Sequence, residues 1–595
     1  MPSTRATGSG KRGASRGAPM LRLRIGFVLI AMVLSFFGAR LVQLQGVDPR
    51  SYAVRAAAEG AVRVPLEAER GDILDRNGVP LADSVKGKMV IADPSLTADR
   101  APELARLLSE RLSVDYFRTL TALRGRKEGS RYEYVARRVP STLAGDTLAV
   151  VDEAGFEGIS LQDDPIRSYP SGDVAANLLG YMGTDEPLGG FERTFDEQLA
   201  GVDGEATWQS NSGKGVRIPL RESTLKAAKN GAPLRTTIDR DLQWFTQKVL
   251  AQSVRQYRAV SGAAIVMDTR TGEILALADV PTFDANAPTE AKSEDDLGSR
   301  AMSDTYEPGS VEKVLTAAAL IDAGKAFPRQ RFKVPPNLAR QDRVIGDWFD
   351  HGNIRLTLAG IIAKSSNIGT VLAADAFSPV ELVGYLQRFG LGQRTDIGVR
   401  GETPGILTPG EAMTSQTKDR VAFGQSLSVN VAQMAAAVNT IANGGVRVSP
   451  SLIAGSAVTD DGVTVGTDVA TRTRVVSKQA ARATARMMEK VVDPEDGVAP
   501  AAQVPGYLVA GKTGTAQRVA SDGTGYDGST SVSFGGFAPA DDARFTVYVV
   551  VHAPKVDGGG GSIAGPVFSR IMGYVLGRYG VEPTNGTPSR LPVEW

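Results

Sequence analysis

The sequence predicts a multidomain α+β protein with one N-terminal transmembrane helix. The chain has 595 residues, more than one hydrophobic core usually organises, so we expect two or three folded units. An apolar run lies near the N-terminus, and short β-like runs separated by turn residues fill the first third of the chain. In the remainder, strands are followed by several helices and then by strands again, an order typical of α+β domains.

Composition narrows the possible chemistry. Lys and Arg total 67 and Asp and Glu total 66, and the net charge of +1 gives no support for nucleic-acid binding. The absence of cysteine excludes thiol nucleophiles, disulfides and Cys-ligated zinc, and we predict neither a metal nor a cofactor. His351 and His552 are isolated from acidic partners at ligand spacing, and no G-x-S-x-G elbow precedes either, so a Ser-His-Asp triad finds little support. An activated serine would therefore use a lysine as its base.

The N-terminal region predicts a membrane anchor. Residues 1–24 are basic, lack acids and are rich in Gly, Ser and Pro, so we expect a cytoplasmic tail without a core. We assign the transmembrane helix to residues 25–44, because the apolar stretch from Leu21 to Leu44 reaches the roughly 20 residues that span a bilayer. The basic flank predicts a cytoplasmic N-terminus and an exported remainder, hence a single-pass protein. A cleaved signal peptide is the alternative, but apolar residues continue beyond the small residues 37–39.

Residues 45–234 are predicted to form a separate, β-rich domain. Runs such as 62–66 and 89–92 have strand character, and the turn at 76–78 has the Arg-Asn-Gly sequence of a chain reversal. One helix is predicted over 101–112, where apolar residues recur at helical spacing. The domain contains no obvious catalytic cluster.

A second domain is predicted over residues 235–582. We expect an amphipathic helix at 240–254 and a β-hairpin made of 262–268 and 273–278. The sequence then predicts apolar helices at 311–323, 431–442 and 480–492, followed by strands at 507–510, 531–537 and 545–551. Because strands occur at both ends of this segment, they should form one sheet with helices packed on it. Residues 583–595 are expected to be a loose C-terminal tail.

The best candidate nucleophile is Ser310 of the sequence Ser-Val-Glu-Lys. The pattern S-x-x-K occurs three times, at Ser223, Ser310 and Ser415, but only Ser310 is expected to begin a long apolar helix. Free N–H groups at that helix start favour developing negative charge. Lys313 lies one turn away on the same face, and burial would lower its pKa towards that of a usable base. Ser223 and Ser415 lie in polar stretches and are predicted to be surface residues.

A second motif, Ser365-Ser366-Asn367, follows an apolar segment. One interpretation makes Ser365 a proton relay and Asn367 a hydrogen-bond anchor for Lys313 and for a substrate amide. The alternative is a helix cap, because Ser and Asn favour such positions. The similar Ser428 and Asn430 are better candidates for a cap.

A third motif, Lys512-Thr513-Gly514-Thr515, follows the strand predicted at 507–510. On an edge strand beside a cleft, Lys512 would add positive potential, and Thr513 and Thr515 would bind a carboxylate. Gly514 would let a substrate approach the backbone.

The same segment matches the phosphate-binding pattern G-x-x-x-x-G-K-[ST] over residues 506–513. A true P-loop lies between a strand and a helix. Here the intervening residues are strand-like and no helix start follows, so we predict no nucleotide binding.

With these motifs the chain resembles the class B penicillin-binding proteins, the membrane-anchored bacterial peptidoglycan D,D-transpeptidases. The resemblance extends from the anchor to about Gly580. In the second domain it rests on E-P-G-S-V-E-K at 307–313, K-S-S-N at 364–367 and G-K-T-G-T-A-Q at 511–517. In the first domain it rests on R-G-D-I-L-D-R-N-G at 70–78, R-S-Y-P-S-G at 167–172 and G-F-E at 190–192.

The resemblance implies a mechanism. Ser310 would attack the carbonyl between the two terminal D-alanines of a stem peptide, Lys313 would take its proton, and Ser365 would pass a proton to the departing D-Ala. The oxyanion would rest on backbone N–H groups of Ser310 and Thr515. An amine of a neighbouring stem would then form the cross-link. β-Lactams, which mimic D-Ala-D-Ala, would leave Ser310 acylated.

The resemblance also implies a fold and partners. Residues 235–582 would be the transpeptidase domain, with a central, mainly antiparallel sheet flanked by helices. Residues 45–234 would be an elongated pedestal of the dimerisation type that contacts partners, among them a polytopic glycosyltransferase and other division proteins of the membrane. The pedestal residues implied to be structural are Arg70, Gly71, Asp75, Arg76, Gly78, Arg167, Tyr169, Pro170, Gly172 and Glu192.

Four functions remain open on sequence grounds. We favour a septal, cell-division transpeptidase over an elongation enzyme, because the chain carries no appended repeat domains. A carboxypeptidase or β-lactamase-like hydrolase could use the same Ser310 and Lys313, although it would need neither anchor nor pedestal. A membrane scaffold or β-lactam sensor without catalytic turnover would have the same motif.

Overall fold

The computed structural model describes residues 19–43, 61–126, 132–209, 224–341, 343–520 and 523–595. The chain divides into two compact units. The first consists of Met1–Leu66 and Asp203–Ala228, and the second of Glu67–Val202 and Lys229–Trp595.

The first unit contains the apolar helix Pro19–Val42 and a small sheet. The helix is the one described segment that is long and apolar enough to cross a membrane. In the sheet, Gly204–Gln209 lies between Ala61–Leu66 and Thr224–Lys226, and both pairings are antiparallel. The helix predicted over 25–44 thus begins earlier, at Pro19, and residue 44 lies outside the described residues.

The second unit begins with two small sheets. In one, the order is Leu234–Arg235, Ile73–Leu74, Pro80–Val85 and Ile166–Ser168. In the other, Gly87–Ala92 lies between Glu133–Pro140 and Ile159–Asp163. The second sheet is covered by the helices Ala101–Leu112, Tyr116–Arg124 and Ser141–Glu153, and these elements share a separate apolar core. Short helices in this region are Pro94–Thr97, Ala176–Leu179, Gly190–Thr194 and Asp196–Leu199.

The largest sheet has five antiparallel strands, which we number β1 to β5 in chain order. They are β1 (Ser261–Asp268), β2 (Ile274–Val280), β3 (Ala510–Val519), β4 (Tyr526–Ala538) and β5 (Phe545–His552). Their order in the sheet is β2-β1-β5-β4-β3, so strands from both ends of the segment join and β3 forms one edge. The prediction of one antiparallel sheet built from both ends is confirmed.

Helices cover both faces of this sheet. Arg240–Gln256 and Ala564–Arg578 pack together on one face, where Phe245 stacks on Tyr574. Val431–Ala442 and Lys478–Glu489 pack on the other. The remaining helices are Arg300–Ser303, Lys313–Asp322, Leu358–Lys364, Asn367–Ala374, Pro379–Phe389 and Ser415–Val421.

Short antiparallel strand pairs connect these helices. Their members are Arg331–Val334 with Ile354–Thr357, Asn337–Arg340 with Arg343–Gly346, Val446–Val448 with Arg472–Arg474, and Ala457–Val458 with Thr464–Val465. The hairpin that ends at Gly346 leads directly into the candidate active site.

The C-terminal segment corrects one expectation. It was predicted to be a loose tail, but Val593 is buried and its carbonyl accepts a hydrogen bond from the backbone N–H of Thr357 (3.0 Å). The Thr357 hydroxyl donates to the carbonyl of Pro592 (2.5 Å), and the indole of Trp595 donates to the carbonyl of Leu356 (3.2 Å). The sequence of this segment has neither helical nor strand periodicity, so its packing could not be predicted. Its long-range contacts place it beside the helix Leu358–Lys364, which Ser365 follows.

Candidate active site

The serine motif forms a tight turn against the edge strand of the sheet. Ser310 lies in the 3₁₀ turn Gly309–Val311, and the helix Lys313–Asp322 follows. Gly309 has φ +56°, and a Cβ there would lie 2.9 Å from the carbonyl oxygen of Thr515. Glycine therefore permits both the left-handed turn and the close approach to β3.

Residues from all three motifs line a cavity of about 390 Å³. Its walls include Ser310, Ser365, Asn367, Thr513 and Thr515. The three motifs, far apart in the chain, thus meet at one site, as their combination predicted.

Lys313 is fully buried beside the second motif. Its Nζ donates to the carbonyl oxygen of Ser365 (2.7 Å) and to Oδ1 of Asn367 (2.7 Å), and it lies 3.5 Å from Oγ of Ser365. Burial lowers the pKa of Lys313 to about 7, while Asp347 and Glu312 act in the opposite direction. A substantial fraction of this lysine is therefore neutral near pH 7 and able to accept a proton.

The second motif joins two helices. Ser365 ends Leu358–Lys364 in the left-handed conformation, with φ +60°. Ser366 begins the next helix, where its Oγ accepts the backbone N–H of Gly369 (2.8 Å). Ser365 is thus the C-terminal cap of its helix, as the cap interpretation predicted, and together with Asn367 it also lines the cavity. Ser366, for which no cap was predicted, is the N-terminal cap of the next helix. Asn430 also caps its helix, Val431–Ala442, as predicted.

Lys512 lies inside β3 and is also fully buried. Its Nζ donates to Oγ of Ser365 (2.8 Å) and to the carbonyl and hydroxyl oxygens of Thr513 (both 3.1 Å). Burial and then the nearby Lys313 hold the pKa of Lys512 well below its ordinary value. Burial thus disfavours the charge that we expect Lys512 to supply.

Gly514 and Thr515 complete the strand motif. A Cβ at Gly514 would lie 2.2 Å from Oγ of Ser533 and 2.8 Å from the carbonyl oxygen of Pro308. Gly514 therefore lets the turn that contains Ser310 pack on β3. The predicted approach of a substrate to its backbone stays a prediction. The side chain of Thr515 is exposed, and its hydroxyl accepts the backbone N–H of Gly560 (3.3 Å).

The P-loop match is a strand. The residues that match the pattern's lysine and threonine lie within β3, which continues to Val519, so the strand–loop–helix context of a phosphate-binding loop does not occur there. Of the other S-x-x-K serines, Ser223 lies outside the described residues. Ser415 is exposed, as predicted, although a helix, Ser415–Val421, does begin there.

Histidine takes no part in lining this cavity. His552 is buried elsewhere, where its Nδ1 lies 2.8 Å from Oγ of Ser531, and burial lowers its pKa to about 3. The other histidine was wrongly described as isolated from acidic partners, because Nε2 of His351 lies 3.1 Å from Oδ2 of Asp347. Among the described residues, no group of three or more His, Asp or Glu side chains could hold a metal ion.

Sequence reasoning missed two residues beside the site. The side chain of Asp347 is fully buried next to the second motif, and Trp348 is 65% exposed and lines the cavity. The only signal in the sequence was the spacing of four residues between Asp347 and His351, which is compatible with a contact between these two side chains. It did not indicate the contact of Asp347 with Ser366.

The first domain's motifs meet in a buried ionic cluster. Glu192 accepts from Nε of Arg70 (2.5 Å), Nε of Arg167 (2.6 Å) and the hydroxyl of Tyr169 (3.2 Å). Arg70 also donates to Asp196 (2.5 Å). The cluster joins three separate segments of the chain.

The other pedestal residues shape turns and contacts. Asp75 accepts the backbone N–H of Val79 (2.8 Å) across the turn in which Gly78 has φ +83°. Arg76 donates to the hydroxyl of Tyr579 (3.2 Å). A Cβ on Gly71 would lie 2.3 Å from the carbonyl oxygen of Ala232, so the chain passes too closely there for a side chain. Pro170 and Gly172 follow Tyr169 in a turn, in which Gly172 has φ +61°.

Comparison with known proteins supports the same assignment. Residues 262–573 match the penicillin binding protein transpeptidase domain, and residues 65–187 match the penicillin-binding protein dimerisation domain. The chain belongs to the class B penicillin-binding proteins. The resemblance inferred from the motifs is thereby confirmed.

Individual relatives cover nearly the whole chain. Penicillin-binding protein PbpB of Mycolicibacterium smegmatis is 34% identical, over 96% of this chain and 93% of its own length. Peptidoglycan D,D-transpeptidase FtsI of Escherichia coli is 30% identical, over 93% and 91% respectively. The crystal structure of penicillin-binding protein 3 from Mycobacterium tuberculosis, complexed with aztreonam, superposes with a TM-score of 0.67 at 30% identity and covers 89% of this chain and 100% of its own.

Proposed function

We propose that this chain is a serine D,D-transpeptidase that cross-links peptidoglycan stem peptides through an acyl-enzyme on Ser310. The observation that carries the proposal is the position of Lys313, which is fully buried and hydrogen-bonded to Ser365 and Asn367 beside the cavity that contains Ser310. Membership of a transpeptidase family supports the reaction type.

The first half-reaction forms the acyl-enzyme. Oγ of Ser310 attacks the carbonyl carbon between the terminal D-alanines while neutral Lys313 takes the hydroxyl proton. The peptide C–N bond then breaks, and a proton passes through Ser365 to the leaving amine. Ser365 suits this relay because its hydroxyl lies 2.8 Å from Nζ of Lys512 and 3.5 Å from Nζ of Lys313. Backbone N–H groups of Ser310 and Thr515 would stabilise the oxyanion.

The strand motif would hold the substrate's terminal carboxylate. Thr513 and Thr515 lie on one face of β3 because side chains alternate along a strand, and both line the cavity. An anion placed there would favour protonation of Lys512, whose positive charge is otherwise disfavoured by burial. In the second half-reaction, the amine of a neighbouring stem attacks the acyl carbonyl and releases Ser310. β-Lactams would acylate the same serine.

We further propose a septal role at the bacterial cell membrane. Similarity to proteins named PbpB and FtsI supports the role in division, and the helix Pro19–Val42 supports a single-pass anchor. The basic residues before the helix favour a cytoplasmic N-terminus and an extracytoplasmic catalytic portion. The partners would then be a polytopic glycosyltransferase and other division proteins of the membrane.

The cross-linking reaction is tested with the full-length protein in detergent micelles. The purified protein is incubated with stem pentapeptides that carry a free acceptor amine, and released D-Ala and cross-linked dimers are quantified. We expect dimer formation by the wild type and none by Ser310→Ala. D-Ala release without any dimer would identify a hydrolase, and neither product from folded protein would favour a scaffold or sensor.

The septal role is tested by depletion in the source bacterium. Filamentous cells without septa are expected. Rounded cells with septa would instead identify an elongation enzyme.

A further inference from the structure

A buried carboxylate holds the serine–serine–asparagine motif from a separate loop. Oδ2 of Asp347 accepts the hydroxyl of Ser366 (2.7 Å), and Oδ1 accepts the backbone N–H of Ile368 (3.0 Å). Ile368 is the second residue of the helix Asn367–Ala374, where free N–H groups and the helix dipole favour a negative charge. Asp347 therefore stabilises the start of the helix that presents Asn367.

The neighbours of Asp347 hold the same motif. The carbonyl oxygen of Gly346 accepts Nδ2 of Asn367 (3.1 Å), and the indole N–H of Trp348 donates to the carbonyl of Lys364 (2.9 Å). The first of these bonds fixes the orientation of the Asn367 amide, because Nδ2 is turned towards Gly346. Oδ1 then faces Nζ of Lys313, which it accepts at 2.7 Å.

The loop also acts on Lys313 through charge. The charged or titratable groups that face Lys313 are Glu312 from its own helix, Lys512 from β3 and Asp347 from the loop. Asp347 is itself faced by the titratable His351, whose Nε2 lies 3.1 Å from Oδ2 of Asp347. Burial raises the pKa of Glu312 well above its usual range, which disfavours its negative charge. Lys512 would repel a charged Lys313. Asp347 is then the main anion that favours protonation of Lys313.

We propose that Asp347 is a positioning residue of the active site, which orients Asn367 against Lys313 and sets how readily Lys313 accepts the proton of Ser310. This inference rests on the proposed function, because it assigns Lys313 the role of base.

The test is the pH dependence of acylation of the full-length protein by benzylpenicillin, measured as a second-order rate constant between pH 5 and pH 9. Asp347→Asn keeps the shape of the side chain and removes its charge. Because neutral Lys313 is the reactive form, the acid limb of the profile should shift to lower pH by about one unit. Asp347→Glu retains the charge and should keep the wild-type midpoint.

Matched variants separate charge from packing. Asp350→Asn removes an exposed carboxylate from the same loop and should leave the profile unchanged. Ser366→Ala removes a hydrogen bond of Asp347 without removing charge, and should lower the plateau rate several-fold at an unchanged midpoint. If Asp347→Asn does not fold, as judged by circular dichroism, the Glu and Ser366 variants can still overturn the proposal, because each should keep the wild-type midpoint.

Two results would overturn the proposal. One is a wild-type profile for folded Asp347→Asn, and the other is a shifted midpoint for Asp347→Glu or Ser366→Ala. Failure of the wild type to react with benzylpenicillin is a different outcome, because it would overturn the proposed function itself.

Discussion

Arg70 and Arg167 are almost as buried as Lys313 and Lys512, but their surroundings are opposite. The two arginines share the carboxylate of Glu192, at 2.5 and 2.6 Å. Burial would lower the pKa of Arg70, but Glu192 and Asp196 raise it above its ordinary value. Positive charge is thus kept inside the protein by paired carboxylates.

The two lysines have no such partner. Among the described residues, no carboxylate lies within 4 Å of either Nζ, and the contacts of both are carbonyl, amide and hydroxyl oxygens. Burial lowers the pKa values of both lysines and so favours their neutral amines. In the arginine cluster, by contrast, groups that are almost as buried keep their positive charge. We propose that this difference separates a structural cluster from a catalytic one.

Removal of a lysine should affect chemistry and leave stability intact. We expect Lys313→Met to reduce the rate of acylation by benzylpenicillin by about 10³-fold, in the range for loss of a general base. Its melting temperature should equal or exceed that of the wild type, because an apolar side chain replaces a buried amine. A Lys313→Met variant with a much lower melting temperature and a normal rate of acylation would show that this lysine is structural and not catalytic.

Removal of the shared carboxylate should do the opposite. Glu192→Gln leaves two buried guanidinium groups without their anion and should destabilise the second unit by about 3–5 kcal/mol. Unfolding monitored by circular dichroism measures the loss. The acylation rate of the protein that remains folded should stay within a few-fold of the wild type. Unchanged stability would show that the cluster is not a structural ion network.

A conservative change sharpens the arginine side of the comparison. Arg70 donates from Nε, Nη1 and Nη2 to Glu192 and Asp196. A lysine would keep the charge but lose this fork geometry. We expect Arg70→Lys to cost about 1–2 kcal/mol, the loss of one or two charge-assisted hydrogen bonds. Equal stability of the two proteins would mean that charge alone matters there.

A last expected effect is a difference in the pH dependence of stability. Burial lowers the pKa of Lys313 from 10.5 to about 7, so between these values the unfolded chain binds a proton that the folded chain does not. The contribution of Lys313 to the free energy of unfolding therefore rises with pH across this window. Denaturant titrations between pH 7 and pH 9.5 should give a shallower pH slope for Lys313→Met than for the wild type. Equal slopes would contradict a lowered pKa.

Sequence patterns predicted several regular elements, although the strand expected at 507–510 begins only at Ala510 and runs to Val519. The helices Ala101–Leu112 and Val431–Ala442 have the predicted bounds. Apolar residues recur at helical spacing in the first, and Asn430 caps the second. The S-x-x-K serine was separated from its duplicates by the apolar helix that follows it. Such local signals do not depend on the rest of the fold.

Apart from the meeting of the three motifs, contacts between distant segments were not predictable. The C-terminal residues pack on Thr357 although they have no periodicity, and Asp347 reaches Ser366 only because the hairpin Asn337–Arg340 and Arg343–Gly346 brings it there. Gly514 was expected to serve the substrate, but its packing against Ser533 and Pro308 depends on the pairing of β3 and β4. Tertiary structure alone decides these positions.

The most direct test of the central claim is the intact mass of the full-length protein after incubation with benzylpenicillin, compared with Ser310→Ala. We predict one stable penicilloyl adduct on the wild type, located by peptide mapping on the segment that contains Ser310, and no adduct on the variant. An adduct on Ser310→Ala, or none on folded wild type, would contradict acyl transfer by Ser310 and its buried lysine.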